Sequence, residues 1–348
     1  MIEDMVRRHL KSFVPYTSAR NEVHNAEILL DANELSLGSP VELNGIELNR
    51  YPDPDQIQLR TRLASLRGMD RERIFVGAGS DEIIDLLIRL FCEPQGDSVV
   101  VIEPTYGVYR VAANINNVDV VPVELDKDFQ IDVANVLRSL KPSTKIIFLC
   151  SPNNPTGNLL DHKAVTALCE QSERIVVVDQ AYTEFADPSG DLSNEAARFE
   201  NLVLLRTLSK AWGLAGIRLG YGIAHPMIVS RLLQIKAPYN INAVTSQLAI
   251  EALGHSDFLR TSQMVIRDER VKLARGLTRL PCVRHVYPSD ANFLLIRFRD
   301  AVQAYGHLAS QGVIVRRRTE ARLKDCLRIT VGTPAENEKT LRALEECS

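Results

Sequence analysis

Residues 145–182 read KIIFLCSPNNPTGNLLDHKAVTALCEQSERIVVVDQAY, and this stretch decides the fold class. Lys145 to Cys150 and Ile175 to Val178 are short, continuous apolar runs rich in Ile and Val, the pattern of strands buried on both faces. Between them Lys163 to Cys169 carries apolar residues at helical spacing. A strand, a loop, a helix and a second strand form the crossover unit that two parallel neighbours require. Outward from this unit the alternation continues. Ser98 to Ile102 and Leu202 to Leu205 are further strand runs, and Val133 to Leu140 and Leu59 to Leu66 have helical spacing. Arg73 to Val76 reads as a strand that ends in Gly77-Ala78-Gly79. Ser80 is placed to cap a helix from Asp81 to Phe91 with one apolar face, Ile83, Ile84, Leu87, Leu90 and Phe91, and with Asp81 and Glu82 at its positive end.

The expected fold is therefore α/β: a large domain over residues 46–245 with a mostly parallel sheet covered by helices, and a smaller α+β domain over 246–348. In the latter, Gln247 to Leu253, Phe258 to Leu280 and Ala301 to Gln311 read as helices, the second long enough to bridge two domains. ANFLLIRF (291–298), GVIVRR (312–317) and DCLRITVG (325–332) read as strands, and a helix follows the cap Thr333-Pro334. Residues 1–45, broken by Pro15 and Pro40, are expected to form an arm that joins the smaller domain.

Composition narrows the function. The chain has 348 residues, 45% hydrophobic and 24% charged, which suits about two globular domains of roughly 150 residues each and excludes a disordered or collagen-like chain. Lys plus Arg number 41 against 44 Asp plus Glu, and without a long basic run a nucleic-acid or anionic-membrane partner is not expected. The partner to look for is a small molecule. No stretch has the apolar length of a membrane span, and MIEDMVRRHLKSF lacks the apolar core of a secretion signal, so a cytoplasmic protein is expected. The cysteines (Cys92, Cys150, Cys169, Cys282, Cys326, Cys347) form no C-x-x-C pair and read mainly as buried thiols. The histidines lack metal-ligand spacing, so no metal is expected.

On an open parallel sheet, ligands collect beyond the carboxyl ends of the strands. The loops there read Gly77-Ala78-Gly79-Ser80-Asp81, Glu103-Pro104-Thr105-Tyr106-Gly107, Ser151 to Gly157, Asp179-Gln180-Ala181-Tyr182 and Arg206-Thr207-Leu208-Ser209-Lys210, with Arg218 beyond. Gly77-Ala78-Gly79 with Asp97 invites a dinucleotide reading, but Glu82 stands where the last glycine of that fingerprint belongs. The glycine turn before a helix still makes an anion cradle of backbone N–H groups, to which Asp81 is expected to add its backbone, since a carboxylate repels phosphate. Thr207, Ser209 and Arg218 surround Lys210 with hydroxyls and a cation, and Arg218 is expected to lower the pKa of its amine. Asp179 at a neighbouring strand end needs something cationic to meet it. Pyridoxal phosphate meets all of these demands: its ring nitrogen needs a carboxylate, its aldehyde a lysine, its phosphate hydroxyls, an arginine and a helix N-terminus.

RYPDP (50–54), GAGSDE (77–82), PTYGVY (104–109), SPNNPTG (151–157), D-x-A-Y (179–182), RTLSKAWGLAGIRLG (206–220) and CLRITVG (326–332) resemble, in order and over nearly the whole chain, the fold type I aminotransferases. PYTSAR (15–20), LDANE (30–34) and GVIVRRR (312–318) narrow the resemblance to the histidinol-phosphate aminotransferase branch of that family. The resemblance implies that Lys210 binds the cofactor and is the catalytic base. It implies that Asp179 pairs with the ring nitrogen, that Asn154 and Tyr182 bond the ring hydroxyl, and that Tyr106 stacks on the ring. It assigns the cofactor phosphate to Ser80, Asp81, Thr207, Ser209 and Arg218, with Tyr51 reaching in from the partner of a homodimer. It assigns substrate binding to Tyr16, Asn33, Arg316 and Arg328. The implied reaction takes L-histidinol phosphate and 2-oxoglutarate to imidazole acetol phosphate and L-glutamate, reversibly, in histidine biosynthesis, through two half-reactions with pyridoxamine phosphate between them. An aromatic amino-acid aminotransferase and a threonine-phosphate decarboxylase are the alternatives on the same frame. Alternation along a strand would turn Arg317 away from Arg316, and both Arg317 and Arg318 read as solvated charges. Gln180 stands where the family usually has Glu, and Trp212 where Phe is commoner, a bulk that could reshape the pocket.

Overall fold

The computed structural model describes residues 2–11 and 45–347. Among the described residues the strands form two sheets. The larger contains β1 (Ile74–Gly77), β2 (Ser98–Glu103), β3 (Asp119–Glu124), β4 (Thr144–Cys150), β5 (Ile175–Asp179), β6 (Leu202–Thr207) and β7 (Gly220–Ile223), in the order β1-β7-β6-β5-β4-β2-β3. Only β7 runs antiparallel to its neighbours. The smaller contains β8 (Val283–Val286), β9 (Phe293–Phe298), β10 (Arg316–Arg317) and β11 (Cys326–Thr330), antiparallel throughout and ordered β10-β11-β9-β8.

Side chains alternate across a strand, and in β5 this splits the core in two. Ile175 and Val177 join Phe148, Val203 and Leu205 on one face, whereas Val176 and Val178 join Ile147, Leu149 and Leu204 on the other. Each fully buried Val or Leu is worth about 1.5–3 kcal/mol, so a register slip here would be costly. In the small sheet Leu294, Ile296, Leu327 and Ile329 pack on Leu273 and Leu277 of the helix Ser256–Thr278 and on Leu344 of the last helix. The opposite face, through Leu295 and Cys326, joins the core of the large sheet. The helix Ser256–Thr278 bridges the two units, Arg267 donating to the Phe185 carbonyl at 3.0 Å.

Several elements depart from the sequence expectations. Ser80 is the first residue of the helix Ser80–Phe91 rather than its cap; Gly79 caps it, at a φ of 83° that favours glycine. β3, β7 and β8 carry no strand signal in the sequence, because DVVPVE contains Pro122, GYGI is half glycine and VRHV is half polar. Gly220 is required: a Cβ there would lie 2.3 Å from the Ser80 nitrogen, so only glycine lets β7 run this close to the start of that helix. The opening of the arm, expected on the smaller unit, instead packs on the large one. Ile2, Val6 and Leu10 join Leu90 and Phe91, and Arg7 pairs with Glu93 at 3.3 Å.

A charge network braces the carboxyl end of β6. Arg206 is fully buried, 2.6 Å from Asp191 and 3.5 Å from Glu184; Arg67 meets the same carboxylates at 3.4 and 2.8 Å and donates to the Tyr221 hydroxyl. Two guanidiniums and two carboxylates thus tie the helix Ile57–Arg67, β6, β7 and the segment after β5 together. Removing one member leaves its partners buried with unbalanced charge, at about 3–5 kcal/mol. Glu184→Gln is expected to lower stability by that amount in urea unfolding; a loss below about 1 kcal/mol would show that the network does not carry this load.

Candidate active site

The carboxyl ends of β4, β5 and β6 lie side by side, with Cys150 opposite Asp179 and Asp179 opposite Leu205. Above them opens a cavity. Ser80, Asp81, Tyr106, Asn154, Asp179, Tyr182, Thr207, Ser209, Lys210 and Arg218 all line it, as expected from their places after the strands.

Asp179 is the electrostatic centre. It is buried, and it accepts hydrogen bonds from the Tyr109 hydroxyl and the Ala181 N–H, each at 3.0 Å. Burial pushes its carboxyl up to about 6, against the pull of those two donors. Among the described residues no cation approaches it within ion-pairing distance. Tyr109 is the residue that sequence reasoning missed. It is fully buried, stacked on Phe148 at 5.0 Å and set edge-on to Tyr106 at 5.6 Å. Its one signal is the second tyrosine of PTYGVY, which on the helix Val108–Ile115 reads as ordinary core.

Lys210 follows β6, with its amine 5.7 Å from the centre of the Tyr182 ring. Its pKa is held below the ordinary lysine value, by burial first and then by Arg328; Asp179 opposes, and Arg218, the neighbour expected from sequence, contributes less than Arg328. Lys236 is pushed down to about 8 by burial, yet its ammonium donates to the carbonyls of Pro54, Ala237 and Pro238 and is fully occupied.

The glycine turn and Arg218 build a cradle. Arg218 adopts a left-handed backbone at φ 55° and lies 3.8 Å from the Asp81 carboxylate, and a Cβ on Gly79 would come within 2.8 Å of its guanidinium. The Asp81 carboxylate also accepts from the Tyr106 hydroxyl at 3.1 Å, so its side chain is held by the protein. Glu82, which spoils the dinucleotide fingerprint, accepts from the Ala78 N–H and from Asn240. Asp97 accepts from the Glu93 N–H at 2.8 Å and precedes β2, at the sheet edge away from the cavity, so no ribose-binding carboxylate is in place. The Thr207 hydroxyl is committed to backbone, donating to the Leu219 carbonyl and accepting from the Ser209 N–H.

The small sheet supplies a second set of cations. Arg328 donates through Nη1 to the side-chain oxygen Oδ1 of Asn154 and stands over the Phe293 ring at 5.3 Å, while its Nε is buried and has no hydrogen-bond partner among the described residues. Burial, then Arg318 and Arg316 among the cations, hold its pKa below the ordinary value. Arg316 is its cross-strand partner and is exposed. Arg317 is exposed as expected. Arg318 departs from the solvated charge expected of it: it is half-buried and grips Glu320. Tyr51 does not line the cavity of its own chain; it is half-exposed and stacked on Tyr239 at 4.4 Å. Tyr16 and Asn33 lie outside the described residues. Gln180 donates to the Gly190 carbonyl at 2.7 Å, and Trp212 fills the core rather than the cavity.

A buried carboxylate with no cation, an amine of lowered pKa and a glycine–arginine cradle at a helix start fit pyridoxal phosphate group by group. On a mostly parallel seven-stranded sheet they define a fold type I aminotransferase. Residues 24–344 match the family described as aminotransferase class I and II. The chain is 48% identical to the histidinol-phosphate aminotransferase of Parabacteroides distasonis and 45% identical to that of Cytophaga hutchinsonii, in each case over 99% of this chain and 98% of the relative. The structure of histidinol-phosphate aminotransferase from Sinorhizobium meliloti in complex with pyridoxal-5'-phosphate superposes with a TM-score of 0.80 at 26% identity, covering 86% of this chain and 82% of that one. The chain belongs to the histidinol-phosphate aminotransferase family of class I and II aminotransferases.

The raised pKa of Asp179 has a sign that can be checked. Because the folded value exceeds that of an unfolded aspartate, about 3.9, stability is full at low pH and is lost as the pH rises through about 6. In protein stripped of cofactor, Asp179→Asn should gain on the wild type as the pH rises from about 4 and level off above about 6, by on the order of 3 kcal/mol. A difference that stays flat with pH, measured by denaturation from about pH 4 to about pH 7, would contradict this assignment.

Proposed function

We propose that this chain transfers the amino group of L-histidinol phosphate to 2-oxoglutarate, giving imidazole acetol phosphate and L-glutamate, reversibly, in histidine biosynthesis. The observation that carries this reading is one continuous wall. Lys210 and Asp179 border the cofactor cavity, and Asn154 joins it directly to Arg328, whose Nε has no hydrogen-bond partner among the described residues and whose neighbours Arg316 and Arg318 add positive charge.

Pyridoxal phosphate bound there supplies the electron sink that makes loss of a Cα proton from the amine substrate feasible. The chain's residues do the rest. Asp179 would keep the ring nitrogen protonated, and Tyr109 would orient that carboxylate from behind. Asn154 and Tyr182 would hold the ring hydroxyl, and Tyr106 would cover the ring face. Ser80, the backbone of Asp81, Ser209 and Arg218 would hold the phosphate, with Thr207 shaping the turn that presents Ser209. Lys210 would carry the cofactor through its amine and, once the substrate amine replaces it, would act as general base. A lowered pKa favours that role because more of the amine is unprotonated near neutral pH.

Arg328 with Arg316 would hold the phosphate of one substrate and a carboxylate of the other, a task suited to a planar guanidinium. Tyr16 and Asn33 complete the proposed substrate grip. An aromatic amino-acid aminotransferase would have no use for clustered cations around Arg328, so the corner favours a phosphorylated substrate. A homodimer is part of the proposal, with Tyr51 of each chain serving the partner's cofactor phosphate; its half-exposed ring, which does not line the cavity of its own chain, supports this.

Stopped-flow absorption of the cofactor-loaded protein is expected to show L-histidinol phosphate alone discharging the cofactor band and 2-oxoglutarate restoring it. A response to phenylalanine but not to histidinol phosphate would overturn the substrate, and no response to any amine would overturn the reaction. Lys210→Ala should slow the half-reaction by about 10³-fold or more. Mixing Lys210→Ala with Tyr51→Ala protein should recover up to about a quarter of wild-type activity, since half of randomly paired dimers hold one intact composite site. No recovery after subunit exchange would remove Tyr51 from the partner's site.

A further inference from the structure

The ladder between β10 and β11 pairs Arg316 with Arg328 and Arg317 with Leu327. It continues one step further, where the Arg318 N–H donates to the Cys326 carbonyl at 3.2 Å. Residues facing each other across an antiparallel pair share a face. Arg316, Arg318 and Arg328 therefore project on the side where Cys326 meets the core of the large sheet. Leu327 and Ile329 project on the other, into the small unit's own core. Of the arginines at 316–318, Arg318 is the most sheltered. Glu320 grips it with both oxygens: Nε donates to Oε2 at 3.2 Å and Nη2 donates to Oε1. Glu320 also borders a second cavity, which shares Tyr106 with the cofactor cavity.

Charge decides what this arrangement suits. Among the described residues, three arginines against one glutamate leave two positive charges at the corner. A phosphate monoester above its second ionisation, near pH ~6, carries two negative charges, whereas a carboxylate carries one. Without Glu320, Arg318 would stand beside two other guanidiniums with no counter-charge, which a half-buried cation tolerates poorly.

We propose that Arg318 is a third arm of the anion grip and Glu320 its internal counter-ion, so that the corner favours a doubly charged phosphate monoester over a singly charged carboxylate. This rests on the functional reading above, and it deepens it by naming how two chemically different substrates are weighed at one site. The third arm raises affinity for the phosphorylated substrate. The counter-ion keeps that arm in place between turnovers and limits the pull on 2-oxoglutarate and glutamate.

The test compares KM and kcat of the cofactor-loaded wild type with Arg318→Gln, Arg318→Lys and Glu320→Gln, for L-histidinol phosphate and for L-glutamate, and adds inorganic phosphate as a competitive inhibitor. Arg318→Gln should raise KM for histidinol phosphate about tenfold and weaken inhibition by phosphate to match, with a smaller change for glutamate and in kcat. Arg318→Lys should recover part of the loss, and Glu320→Gln should lower KM for histidinol phosphate. In the wild type that KM should rise as the pH falls through about 6, where the phosphate gains a proton, and the rise should be shallower in Arg318→Gln. An Arg318→Gln KM within about twofold of wild type, or parallel losses on both substrates with a falling kcat, would overturn the inference. A wild type inert to histidinol phosphate would instead overturn the functional reading, and this inference with it.

Discussion

The structure turns on a carboxylate buried without a cation. Asp179 sits at the end of a strand enclosed on both faces, where desolvation raises its pKa, and the described residues answer with the Tyr109 hydroxyl, one backbone N–H and the more distant Lys210. Such a group is stable as an anion only when a positive charge meets it from the open side. The cavity lies on that side, so the same burial that fixes β5 in the core leaves Asp179 facing the space where the proposed reading puts a protonated ring nitrogen. Tyr109, Phe148 and Tyr106 form an aromatic wall that keeps the carboxylate dry and aimed.

Around that centre, two sheets divide the work. The large sheet delivers loops from β1, β2, β4, β5 and β6 to one edge, and each brings a group that a phosphate-bearing cofactor needs. The small sheet contributes a different chemistry, a set of arginines on the face turned toward the large sheet. Asn154 is the joint between them, lining the cofactor cavity while accepting from Arg328. The Arg206–Glu184–Arg67–Asp191 network ties the end of β6, just before Lys210, to β7 through the Arg67–Tyr221 hydrogen bonds.

The parts of the fold legible in the sequence were those whose burial is uniform. β2, β4, β5 and β6 are continuous apolar runs because both of their faces are covered, and a four- to six-residue run rich in Val and Ile is too short for a buried helix. β3, β7 and β8 were invisible because a proline, two glycines and two adjacent polar residues erase the apolar signal. The cofactor cavity was legible because its groups follow strands directly, where topology alone brings them together. Tyr109 was not, since a tyrosine on an apolar helix face looks like packing until Asp179 is seen beside it. The influence of Arg328 on Lys210 was equally hidden, because it joins residues of different sheets. The shelter given to Arg318 depends on Glu320, and alternation assigns a face without saying how deeply that face is covered.

The proposed mechanism rests on Lys210, which lines the cavity, being the amine that meets the cofactor aldehyde. Lys236 is the natural control, because burial lowers its pKa to about 8 while three carbonyls occupy its protons. Borohydride reduction of the pyridoxal phosphate-loaded protein, followed by peptide mapping, tests the claim directly. One stable adduct, on Lys210, is the expected result. An adduct on Lys236, or a fully loaded protein with no adduct on Lys210, would contradict it.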